Sequence, residues 1–205
     1  MKIIKYFALK VLKPTDSKGF VPWADICVEG FPRSGNTYAV SLLSIFSDKM
    51  IVNHHTHSLS SIRWSVFFKI PTYIIIRNPL DSVLSYHVYS DRDFNEVLSE
   101  WREFHYRISK MNKIKLYDFD KLTSDPVKWL ELVSNSTCAI SNNDVKVAGF
   151  DFIQNLNNER NIGSTKSGMP NKNRQKSYNN LIKKYSCKIK DSDILLYKEL
   201  TRRCV

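Results

Sequence analysis

Short β-rich runs alternate with stretches of helical spacing along the 205 residues. Ile26-Cys27-Val28-Glu29 reads as a strand ended by Gly30, and Tyr38 to Phe46 places Tyr38, Leu42, Leu43 and Phe46 on one helical face. Met50-Ile51-Val52 predicts a second short strand. Thr72 to Ile76 is a continuous apolar, β-branched run, the pattern of a strand buried on both faces. Asn78-Pro79 opens a helix, with Asn78 as N-cap and Pro79 at the first helical position. A longer helix is expected over Asp93 to Met111, where Asp93 and Glu96 have capping-box spacing. Lys113 to Tyr117 alternates as a strand, and further helices begin at Asp125-Pro126 and run from Asp144 to Asn157. Strands alternating with helices predict crossover units, hence an α/β fold with a central parallel sheet flanked by helices. Residues 158–180, rich in Asn, Lys, Ser and Gly, read as a long loop, and such loops in compact domains usually carry function.

The length fits one domain, residues 1–205, with 1–22 as an N-terminal extension. A hydrophobic share of 42% excludes wholesale disorder. Apolar runs such as Tyr73–Ile76 and Val66–Phe68 fall far short of the ~20 residues that span a bilayer. Charge changes the picture more. The net +11 is concentrated in residues 160–205, which hold 12 Lys/Arg against 3 Asp/Glu. Such a tail suits an anionic partner, whether nucleotide, sulfated glycan, nucleic acid or acidic membrane. Met1 to Lys13 interleaves four lysines with Ile3, Ile4, Phe7, Ala8 and Val11, which predicts an amphipathic helix docked on the core or, as the second choice, in peripheral membrane contact. It lacks the pattern of a secretory signal. Cys27, Cys138, Cys187 and Cys204 are scattered, so no zinc site is expected; reduced thiols and a cytoplasmic location are.

The most informative segment is Gly30-Phe-Pro-Arg-Ser-Gly-Asn-Thr37, between a strand and a helix. Gly30 and Gly35 have Walker A spacing and Thr37 holds the Ser/Thr position, but Asn36 stands where the Walker lysine belongs. Backbone N–H groups at such a junction still cradle phosphate oxygens, and Arg33 supplies a cation inside the loop. The architecture expected is therefore a three-layer, P-loop-like one. A second anion site follows the Thr72–Ile76 strand, in Arg77-Asn-Pro-Leu-Asp-Ser-Val-Leu-Ser85. A nucleotide hydrolase would often end this strand with an aspartate for magnesium. Here it ends with Arg77 at the carboxyl edge, where α/β ligands bind, while Ser85 offers a hydroxyl from the next helix.

Together these segments resemble the sulfotransferases that use 3′-phosphoadenosine 5′-phosphosulfate (PAPS). Pro32-Arg-Ser-Gly-Asn-Thr-Tyr38 resembles that family's 5′-phosphosulfate loop, with Arg33 for its lysine and Tyr38 for its tryptophan. Arg77 to Tyr86 is similar to its 3′-phosphate motif without a gap. His55-Thr56-His57 matches its K-T-H, and Leu116-Tyr117-Asp118 with Asp125-Pro126 its L-Y-E-D…D-P segment. Gly163 to Gly168, followed by Lys172-Asn-Arg174, loosely resembles its C-terminal cofactor loop, without the tryptophan.

The resemblance implies in-line sulfuryl transfer from PAPS, leaving 3′-phosphoadenosine 5′-phosphate (PAP), to an acceptor hydroxyl or amine, with no metal required. It assigns the catalytic roles to His57, as base, and Arg33, as clamp on the departing phosphate. His54 and His55 lie within a register slip of His57. Arg33, Ser34, Gly35, Asn36, Thr37, Tyr38, Arg77, Ser85, Tyr117, Lys166, Ser167 and Gly168 become the cofactor-binding set. The acceptor is a small molecule, glycan or lipid, and no nucleic-acid partner is expected. Phe20, Trp23, Trp64, Phe67, Phe68 and Tyr86 are aromatics from which an acceptor pocket would draw. Two alternatives compete: a kinase with a degenerate Walker loop, and a basic nucleotide- or nucleic-acid-binding module without catalysis.

Overall fold

The computed structural model describes residues 20–46, 50–134, 141–159 and 172–205, with backbone alone at 156, 157, 159 and 172–177. Four strands, β1 (Ile26–Gly30), β2 (Val52–His54), β3 (Thr72–Ile76) and β4 (Lys115–Asp118), form one sheet in the order β2-β1-β3-β4. Every pairing is parallel. Nine α-helices are described: α1 (Asn36–Phe46), α2 (Leu59–Phe67), α3 (Pro79–Ser90), α4 (Phe94–Ser109), α5 (Phe119–Ser124), α6 (Pro126–Ser134), α7 (Asn142–Glu159), α8 (Lys172–Tyr185) and α9 (Asp191–Arg202).

Strand alternation divides the core into two layers. Ile26, Val28, Tyr73, Ile75 and Tyr117 face one side and pack with residues of α1, α6 and α7. Ile74, Ile76 and Leu116 face the other, among side chains from α2, α3, α4, α8 and α9. β1 and β3 are buried throughout, as a parallel sheet covered on both faces requires. The result is the three-layer α/β arrangement expected from the sequence.

Several boundaries differ from expectation for identifiable reasons. The first helix begins at Asn36, two residues early, inside the glycine-bearing segment. β2 is Val52–His54 rather than Met50–Val52, because Asn53 meets its polar needs on the Val21 backbone, accepting from its N–H (2.8 Å) and donating to its carbonyl (2.9 Å). The fourth strand likewise slides to Lys115–Asp118. α2 escapes an apolar count because Ile62 is its single buried hydrophobic residue. Residues 172–180 form the start of α8 and are not loop. Tyr178, Leu181, Ile182 and Tyr185 make an i, i+3, i+4, i+7 stripe against the core, hidden in a polar sequence. Asn78 and Asp93 cap as expected, each accepting from two backbone N–H groups of the first turn. Cys27, Cys187 and Cys204 are free thiols, and burial pushes those of Cys27 and Cys204 up to about 12. The N-terminal extension up to residue 19 lies outside the described residues.

Candidate active site

In the order β2-β1-β3-β4 the chain runs from β1 to β2 on one side and from β3 to β4 on the other, so a crevice opens at the carboxyl ends of β1 and β3. Both anion-binding segments emerge there. Gly30 pairs with Ile75 across the two strands, which sets the loop after β1 beside Arg77.

Residues 31–35 turn sharply into α1. Ser34 donates its N–H to the Phe31 carbonyl (3.1 Å). Arg33 and Gly35 take left-handed backbone angles, φ of 68° and 94°. At Gly35 a β-carbon would also stand 2.6 Å from the Phe119 ring, so glycine is required twice over. The first-turn N–H groups of α1 have no acceptors within their own helix and end at this loop. Among the described residues, the buried Ser34 Oγ and Asn36 Oδ1 have no hydrogen-bond partner. Orphaned polar atoms beside helix-end amides fit a phosphate or sulfate group. Asn36, in the Walker lysine's place, directs its amide nitrogen to the Gly30 carbonyl (3.2 Å) and so braces the loop.

The arginines tie the two segments together. Arg33 Nε donates to Ser85 Oγ (3.1 Å), 52 residues away, and its guanidinium lies 4.9 Å from the Tyr89 ring centroid. Arg77 Nη1 donates to the Arg33 carbonyl (2.8 Å), and its guanidinium sits 4.3 Å from the centroid of Phe119. Arg33, Arg77, Ser85 and the loop from Ser34 to Thr37 are thus one constellation. Asp120 stands near Arg77; burial raises its carboxyl above the usual range, Asp118 and Asp81 add to the rise, and Arg77 opposes it.

The histidine run closes the crevice from the β2 side. His55 and His57 both have left-handed backbone, φ of 56° and 48°. Buried Glu29 holds this turn. Its carboxylate accepts from Thr56 N–H (2.8 Å), Thr56 Oγ1 (2.7 Å) and His57 N–H (3.1 Å), and lies 3.9 Å from His57 Nδ1. His57 Nδ1 is 2.9 Å from the Gly30 carbonyl, which can only accept, so Nδ1 carries the proton and neutral His57 has a bare Nε2. His57 then lines a cavity of about 500 Å³ with Phe31, Leu59, Tyr86 and Phe104, rimmed by Glu100 and Glu103. His55 instead faces Thr37, with Nε2 2.9 Å from Oγ1, and its Nδ1 contacts that of His54.

Two expected residues stand apart. Tyr38 is buried in the core, stacked on Phe150 at 5.5 Å, and burial lifts its hydroxyl to about 12. Tyr117 is fully buried 5.0 Å from Trp129, again at about 12. Lys166, Ser167 and Gly168 lie outside the described residues. Of the aromatics expected near an acceptor, Tyr86 lines the cavity, whereas Trp64, Phe67 and Phe68 are exposed elsewhere. Sequence reasoning passed over Glu29, Phe119 and Tyr89. For Glu29 a signal existed: a carboxylate ending a strand whose other residues are apolar.

No protein-family model and no curated protein sequence matches this chain. Among solved structures it is similar to mouse sulfotransferase SULT7A1 complexed with PAP, with a TM-score of 0.51 and 13% identity over 94% of this chain and 93% of that one. At that identity the likeness establishes a shared fold.

Proposed function

We propose that this protein is a PAPS-dependent sulfotransferase. The observation that carries the reading is the joining of Arg33, Ser85 and Arg77 by hydrogen bonds of 2.8–3.1 Å around a glycine turn at the sheet's switch point. Two adjoining anion-binding segments on one crevice suit a nucleotide phosphorylated at both the 3′ and the 5′ position. The neighbouring structure that shares the fold is itself described with PAP. When bound, PAPS supplies an activated sulfuryl group on a 5′-phosphate.

The loop amides of Ser34 to Thr37, the orphaned Ser34 hydroxyl and the Arg33 guanidinium hold the 5′ end. Arg33 is permanently charged and clamps the negative charge that grows on the departing phosphate. Arg77 and Ser85 hold the 3′-phosphate, and Lys166, Ser167 and Gly168 complete the set from the basic segment. Asn36 and Thr37 keep the loop and His55 in place. Tyr38 and Tyr117 support the site from below, through packing. His57 Nε2 takes the proton that the acceptor hydroxyl or amine gives up as its oxygen or nitrogen bonds to sulfur. Glu29 keeps the His57 backbone in its strained turn and stabilises the imidazolium formed. The cavity beside His57 receives a small-molecule, glycan or lipid acceptor. Asn36, turned to the Gly30 carbonyl where a kinase needs a lysine on phosphate, speaks against phosphoryl transfer.

Sulfuryl transfer from radiolabelled PAPS to a panel of phenols, oligosaccharides and lipids tests this. Label should pass to one class of acceptor with wild type and not with His57→Ala. Transfer of phosphate from ATP with magnesium, and none from PAPS, would overturn the reading.

A further inference from the structure

The end of the sheet opposite the crevice carries a surface that the proposed reaction does not use. Trp64, Phe67 and Phe68, at the carboxyl end of α2, are 52%, 71% and 44% exposed. Their rings pack on one another with centroids 5.3–6.0 Å apart, and Phe20 lies against Phe68. Beside them is a cavity of about 570 Å³ lined by Arg63, Arg107, Lys110 and Lys113, with Val66 and Tyr106. Arg107 pairs with Glu103 (2.7 Å), and Lys110 lies over the Tyr106 ring. At about 100° per residue around a helix, Val66, Arg63, Phe67 and Trp64 follow one another in that order. The basic cavity and the aromatic cluster are therefore one continuous surface, with Ile62 and the buried serines on the other side of α2. It is formed where the chain leads into β3 and β4, so it lies at their amino ends, away from the phosphate loop.

We propose that this surface docks the protein peripherally on an anionic membrane. Large aromatics lose little by entering the headgroup boundary, where their rings leave water, while lysines and arginines pair with lipid phosphates around them. Each cation near such a surface adds attraction that salt screens. Among the described residues no helix is long and apolar enough to cross a membrane, and the contact proposed is one of surface. Docking here leaves the crevice and its cavity directed away from the lipid.

The test is sedimentation of the full chain with vesicles of phosphatidylcholine alone and of phosphatidylcholine with phosphatidylserine. Wild type should pellet with the anionic vesicles, much less with the neutral ones, and lose binding as salt rises. Trp64→Ser/Phe67→Ser/Phe68→Ser and, separately, Lys110→Glu/Lys113→Glu should each weaken binding at least tenfold while melting like wild type. A milder probe uses emission: Trp101 and Trp129 are fully buried and the Trp23 nitrogen is buried too, so Trp64 reports on the surface. Anionic vesicles should shift the emission to the blue in wild type and not in Trp64→Phe. The proposal is overturned if wild type ignores anionic vesicles, or if the patch variants bind as wild type does, which would place the contact in another part such as residues 1–13. It is equally overturned if the aromatic patch drives self-association without lipid, read by sedimentation velocity.

Discussion

His57 and His105 lie near the same ring, Phe31, yet belong to two unlike regions. His57 lines the crevice cavity together with Phe31, and the His105 ring centroid is 6.0 Å from that of Phe31, in the core beneath α4. Each hydrogen-bonds a carbonyl through Nδ1, His57 at 2.9 Å to Gly30 and His105 at 2.8 Å to Trp101. Each neutral ring therefore has a bare Nε2. In the core that atom is sealed: His105 stacks on Trp101 at 4.1 Å, and burial pushes its pKa down to about 4. In the crevice the ring is 23% exposed and a carboxylate stands 3.9 Å away. The same tautomer suits the base we propose in one place and a packing element in the other. What separates them is access and a neighbouring charge.

That contrast is broken most directly by truncating each ring. His57→Ala should lower sulfuryl transfer by ~10²–10⁴, the usual cost of losing a general base, and leave PAP affinity nearly unchanged. Arg33→Ala should weaken both, because the clamp proposed for its cation would act in ground state and transition state alike. Steady-state rates and calorimetric affinities separate the two variants; equal loss of affinity in both would merge roles that the geometry keeps apart.

His105 should speak through stability and not through rate. Its folded pKa of about 4 lies below the ordinary 6.5, so the unfolded chain takes up the proton first as pH falls. Its contribution is complete above about pH 6.5 and is lost as pH drops towards 4, by about 3 kcal/mol in all. Urea unfolding of wild type and His105→Phe at several pH values should show a flatter acid limb in the variant. Parallel limbs would remove His105 from the account.

Smaller effects sharpen the crevice side. Gly35→Ala forces a β-carbon onto Phe119 at a φ of 94° and should cost about 1–3 kcal/mol along with anion binding. Glu29→Gln turns an amide towards donors and should cost about 1–3 kcal/mol. It should also lower kcat more than PAP affinity if Glu29 acts through His57; unchanged kcat with lowered stability would make it a brace only.

The crevice was legible in sequence where local chemistry repeats a pattern. A strand, two glycines, an arginine and a helix-capping Asn-Pro place the loop, Arg77 and Ser85 without long-range information. The sheet and its parallel sense followed from alternation of elements. Less legible was whatever depends on a distant partner. Asn53 is a strand residue because the Val21 backbone satisfies it, and Glu29 braces the histidine turn because Thr56 and His57 fold back onto it. Tyr38 and Tyr117 occupy positions that the motif assigns to cofactor, yet packing against Phe150 and Trp129 draws both rings inward. α8 was hidden because its apolar stripe, Tyr178, Leu181, Ile182 and Tyr185, sits among Lys, Asn, Gln and Ser.

Calorimetric titration with PAP, set beside adenosine 5′-phosphate and repeated on Arg77→Ala, bears on the central claim most directly. If the loop holds one phosphate and Arg77 with Ser85 the other, wild type binds PAP much more tightly than the monophosphate. A charge-assisted hydrogen bond of about 1.5–3 kcal/mol corresponds to a preference of roughly 10- to 100-fold. Arg77→Ala should bring the two ligands to similar affinity with the monophosphate little changed. Equal binding of both nucleotides by wild type, or a preference that survives Arg77→Ala, would contradict the two-phosphate crevice.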